Sequence, residues 1–169
     1  MKKGTLLSFC VLLFLNACEY RSPVTTVHSI PIDRAILGPW VIVPQENEDD
    51  STELRIFEFS DTEYSIHYSE GSGDLYFRAY AFEAGGVSAV QLELIGSDKE
   101  SIRSNDDYPE RFHVASYKVL GELLEVRTLN SDLIKSKSSD SDALRSEFIK
   151  YKDHPELFND PGSFKRKGG

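Results

Sequence analysis

A chain of 169 residues with 28 acidic and 19 basic side chains carries a formal charge of −9 at neutral pH. So acidic a body repels phosphate backbones and anionic headgroups, which excludes nucleic-acid binding and a purely electrostatic hold on a membrane. The length suits one domain around one core, and the two cysteines, Cys10 and Cys18, provide no cysteine-based metal site.

The front of the chain has Lys2-Lys3, an apolar run from Leu6 to Leu15, and then Asn16-Ala17-Cys18. A positive stretch, a short apolar run and a small residue at a cleavage point make a secretory signal. At about 1.5 Å per residue the run spans roughly 15 Å, half of a hydrocarbon core of roughly 30 Å. A permanent transmembrane helix is therefore not expected. Leu15, Ala17 and Cys18 resemble the lipobox of bacterial lipoproteins, with Asn16 standing where a small or apolar residue is usual. The resemblance implies cleavage before Cys18, whose sulfur and amino group then carry fatty acyl chains. Each buried methylene contributes about 0.8 kcal/mol, and two or more chains give a stable anchor. The alternative is an ordinary signal cut after Ala17 by the general signal peptidase, leaving Cys18 a free thiol; Leu15 stands where that enzyme prefers a small residue. Either cut removes residues 1–17 with Lys2, Lys3 and Cys10, so the charge moves from −9 to −11 and no intramolecular disulfide is left. In the lipoprotein family an aspartate after the cysteine favours the inner membrane. Glu19 here implies the periplasmic face of the outer membrane.

Residues 18–30 are polar, contain Pro23 and show no period, which predicts a tether between anchor and domain. The domain is then expected over residues 31–167. Pro31 opens a helical turn over Ile32 to Leu37 and Gly38 closes it, proline first and glycine last. From Trp40 the period becomes two. Strands are predicted at Trp40–Val43, Leu54–Phe59, Tyr64–Tyr68, Leu75–Phe82, Val87–Ile95, Phe112–Val119 and Leu123–Leu129, separated by turn residues such as Ser60-Asp61, Gly85-Gly86 and Gly121-Glu122. Tight turns predict an antiparallel meander, which removes its edges by curling into a barrel. Leu75–Phe82 is apolar on both faces and needs a cover outside. Leu144, Phe148 and Tyr151 recur at helical spacing from about Ser141 to Lys152, and this helix is the expected cover. Lys150 and Lys152 suit its C-terminal dipole, and Pro155 stops it. A last strand is expected at Gly162–Lys167. The fold class is mainly β: a barrel of seven or eight strands with a C-terminal helix outside.

Gly38-Pro39-Trp40 after a helical turn, the meander, the late helix and a final basic strand together resemble the lipocalins. There an arginine at the end of the barrel packs over the tryptophan, and Arg166 is the matching residue. Guanidinium on indole contributes roughly 0.5–2 kcal/mol. The chain is similar also to a group of bacterial proteins that share the G-x-W start and a close like Pro155-Glu156-Leu157-Phe158. The lipocalin resemblance implies a small apolar ligand inside the barrel, lined by Tyr64, Tyr68, Tyr76, Tyr80 and Phe82. An eight-stranded barrel can instead be filled by its own side chains. In that case the protein serves as an envelope interaction module.

The histidines His28, His67, His113 and His154 lack metal-ligand spacing. The acidic stretches Glu46–Asp50 and Asp106-Asp107 lack the spacing and central glycine of a calcium loop. No nucleophile elbow, zinc-protease or phosphate-loop motif occurs. The expectation is therefore no catalytic residue, cofactor or metal, and a monomer held to the membrane by its lipid.

Overall fold

Alternation commits each strand to one buried face, and in the computed structural model those faces turn inward. It describes residues 20–44, 52–71, 73–98, 112–135 and 140–168. The strands are β1 (Gly38–Ile42), β2 (Glu53–Ser60), β3 (Glu63–Glu70), β4 (Gly73–Ala84), β5 (Val87–Ser97), β6 (Phe112–Leu120), β7 (Leu123–Leu129) and β8 (Phe158–Arg166). Each pairs antiparallel with the next, and β1 pairs with β8 to close an eight-stranded barrel. Closure satisfies both edges, the reason a meander of this length curls. The two-residue turn between β4 and β5 has positive φ at both Gly85 and Gly86, the hand that matches strand twist.

Leu54, Ile66, Phe77, Leu92, Leu124 and Phe164 fill the interior around Trp40. A 3-10 turn, Arg34–Ile36, closes one end: Asp33 accepts from Ala35 N, and Ile36 is buried against the core. A second apolar cluster lies outside the barrel. Helix α1 (Ser141–Lys150) buries Leu144 and Phe148 against Phe82, Ala89, Val114 and Leu129 of four successive strands. The Phe82 and Phe148 rings meet edge to face at 5.5 Å. Asp140 caps the helix by accepting from Ala143 N at 2.7 Å. The outer face of β4 needed this cover, and the C-terminal helix provides it.

Two expectations change. The last strand begins at Phe158, four residues before the expected Gly162, and contains Pro161. Its register with β7 shifts between Val126 and Thr128. A bulge tolerates a residue without an N–H, so the proline does not mark the strand's beginning. The larger change concerns residues 20–30, expected as part of a free tether. Tyr20 is fully buried and exchanges backbone hydrogen bonds with Phe112 at 2.7 and 3.0 Å, while Val24 is buried in the outer cluster. This segment is a strap along the barrel wall. Residues 1–19, the signal and Cys18 among them, lie outside the described residues.

Candidate functional site

The G-x-W signature works as a knot at the closed end of the barrel. Trp40 is fully buried and donates from Nε1 to Ile36 O at 2.9 Å. The Arg166 guanidinium sits 4.1 Å from the centre of its ring and donates to Leu37 O at 2.8 Å and Ala35 O at 2.6 Å. Gly38 has φ +117°, and a Cβ there would lie 3.2 Å from Arg166 Nη1. Arg166 thus stitches the last strand, the first strand and the 3-10 turn together.

Above that knot the interior holds an apolar cavity of about 50 Å³ among Ile36, Leu54, Tyr64, Val90, Tyr117 and Leu124. Its polar rim is Asp33, whose N donates to Tyr64 Oη at 2.6 Å and whose carboxylate accepts from Tyr117 at 3.1 Å. Burial pushes the Tyr64 and Tyr117 hydroxyls up, so both stay protonated. Of the five aromatics expected to line a ligand site, Tyr64 lines this cavity and Tyr68 belongs to the interior core. Tyr76, Tyr80 and Phe82 do not line it. Alternation along β4 puts Leu75, Phe77 and Ala79 inside and the even-numbered side chains on the outer face. There Tyr76 stacks on His67, Tyr80 on His28, and Phe82 supports α1.

Comparison of the chain with protein-family models, curated proteins and solved structures finds no match.

A buried polar cluster holds the strap. Gln91, which alternates with the apolar Val90 and Leu92, is fully buried beneath it. Its Oε1 accepts from the Val24 and Thr25 amides, and its Nε2 donates to Thr25 O and the Tyr80 hydroxyl. Tyr80 Oη donates to Thr25 O at 2.8 Å, and burial pushes its hydroxyl up to about 12. Farther along, Glu63 accepts both Arg78 Nη2 bonds, at 2.6 and 2.8 Å, and contacts His28 Nδ1. Burial pushes the Glu63 carboxyl up, but the Arg78 and His28 hydrogen bonds outweigh it and hold it below the usual range. Sequence alternation missed this cluster, because a Gln between Val90 and Leu92 looks like a wet face. The available signal was an unusually bulky outer row, Tyr80 and Phe82 beside Gln91.

Gln91→Leu keeps the volume and removes all four hydrogen bonds. Each buried group left unpaired costs about 1–3 kcal/mol, so the strap should loosen before the barrel opens. The expected result is faster hydrogen exchange at the Val24 and Thr25 amides with the Leu54 and Leu92 amides unchanged. Uniform exchange across both sets would contradict it.

Between the strap and α1 lies a surface groove of about 530 Å³, lined among others by Val24, Val27, Ile30, Phe82, Asp142 and Arg145. Higher on the wall the outward residues Phe57, Phe59, Tyr76 and Ile95 are exposed. The histidines do not converge: His28 contacts Glu63, His67 lies 2.9 Å from Asp74, His113 is inside the barrel, and His154 accepts from Glu156 N. Among the described residues no three His, Cys, Asp or Glu form a metal-holding group. Residues 45–51 and 99–111, with both acidic stretches, lie outside the description, as does Cys18. Among the described residues no helix is long and apolar enough to cross a membrane.

Proposed function

We propose that this chain is a bacterial envelope lipoprotein, anchored through acylated Cys18, whose barrel is a filled scaffold for docking a protein partner and carries out no reaction. One observation supports the choice of scaffold over carrier: the interior cavity that the described residues enclose around Tyr64 and Tyr117 measures about 50 Å³. Ligand sites for molecules of drug size occupy roughly 300–1,000 Å³, and 50 Å³ is the share of one or two water molecules at about 30 Å³ each. The outer wall offers more, with the groove beside α1 and the exposed Phe57 and Phe59. Exposed aromatics on a rigid sheet supply contact area with little loss of side-chain freedom on binding.

The test uses the mature lipidated protein from native membranes. A photo-crosslinking residue at Phe59 should capture an envelope protein, one at Glu122 should not, and organic extraction should release no stoichiometric ligand. One apolar molecule released per chain would establish the carrier instead. Mass spectrometry of the mature amino terminus, with Cys18→Ala as control, tests the anchor separately.

A further inference from the structure

If Cys18 carries acyl chains, as proposed above, the strap determines how the body stands on the bilayer. Only the Cys18–Glu19–Tyr20 link separates the acylated residue from one that is fully buried. Two residues reach at most about 7 Å when extended. Tyr20 is held by its backbone exchange with Phe112 and by its hydroxyl, which donates to Ile134 O at 3.0 Å. The strap behind it is secured again at Gln91, Tyr80 and Glu63. A polar tether of a dozen residues would let the barrel tumble. A two-residue link to a buried tyrosine does not.

We infer that the barrel rests against the lipid surface in one orientation, with the end around Tyr20, Phe112 and the 131–135 turn toward the headgroups. Strand β6 runs from Phe112 to Leu120 away from that end. At about 3.3 Å per residue, the Gly121-Glu122 turn stands roughly 25 Å farther out. The Arg166 knot is beside that distal turn, since Arg166 N donates to Glu122 O at 3.0 Å. The signature end of the barrel thus faces away from the membrane. Among the described residues the lipid-facing end presents Ser131, Asp132 and Lys135, all exposed, a mixed polar set that suits zwitterionic headgroups.

The mature chain loses Cys10 with the signal and has Cys18 blocked by lipid, so an introduced cysteine is the sole reactive thiol. Fluorophores at Ser131→Cys and Glu122→Cys are compared on the lipidated protein in phosphatidylethanolamine/phosphatidylglycerol (3:1) vesicles with a headgroup-labelled acceptor lipid. The expected result is several-fold more efficient energy transfer from position 131 than from 122. Inserting twelve Gly/Ser residues between Glu19 and Tyr20 should abolish the difference. Equal transfer from both positions in the uninserted chain would overturn the orientation while leaving the anchor intact. Failure of both labelled proteins to float with vesicles would instead remove the anchor, and the orientation with it.

Discussion

Trp40→Ala should lower the unfolding free energy by about 3–5 kcal/mol, the usual range for deleting a buried large aromatic. The effect has three sources. The core loses a fully buried indole, Ile36 O loses its donor, and the Arg166 guanidinium loses the ring it covers. Arg166→Lys keeps the charge but cannot reproduce the planar fork that reaches Leu37 O and Ala35 O together. It should cost about 1 kcal/mol. Denaturant unfolding of Trp40→Ala, Arg166→Ala and the double variant measures the coupling, expected at about 0.5–2 kcal/mol. Strict additivity, or a Trp40→Ala variant within 1 kcal/mol of the parent, would mean that the barrel is closed by other contacts.

The second large effect is a loss of stability in mild acid. His113 lies in the barrel wall facing Phe77, edge on at 5.7 Å, and its Nδ1 has no hydrogen-bond partner among the described residues. Burial pushes its pKa down from 6.5 to about 4. Between those values the unfolded chain binds a proton that the native chain refuses, so stability rises with pH across the window. The contribution is complete above pH 6.5 and disappears as the pH falls to about 4. The slope is about 1.4 kcal/mol per pH unit, or roughly 3 kcal/mol over the window. His113→Leu should flatten this dependence. Carboxylates held below their usual range add a separate loss at lower pH. Glu53 is lowered by Lys167 and then Arg55, and Asp74 by Ser69 and then His67. Urea midpoints at pH 7.0, 6.0 and 5.0 for both proteins separate the two regimes. Parallel profiles for parent and variant would show that His113 is not the group responsible.

The barrel was legible because its information is local. Period-two runs, glycine turns and a capped amphipathic helix each act within a few residues, and they agree with one another. Tyr64 and Tyr68 could be placed because β3 alternates cleanly, with Ser65 and His67 between apolar partners. Strand β4 could not be read this way, since tyrosines and phenylalanines occupy both of its faces. Only the strap over Tyr80 and the second core around Phe82 decide that both point outward. The strap was illegible for a related reason. Residues 20–30 have no period because they form no ladder of their own; what orders them is Gln91, 67 residues away from Val24 along the chain. A glutamine in an apolar strand signals a polar partner only after the fold has brought one to it.

The seam of the barrel joins the first strand to the last, and its stitch spans 129 residues from Leu37 to Arg166. During synthesis, seven strands can therefore emerge with two raw edges and no way to cover them. The contact with the greatest sequence separation is the slowest to form, so the barrel stays open until the strand that carries Arg166 has been released. A chaperone that shields strand edges during this interval would have to leave when Arg166 arrives.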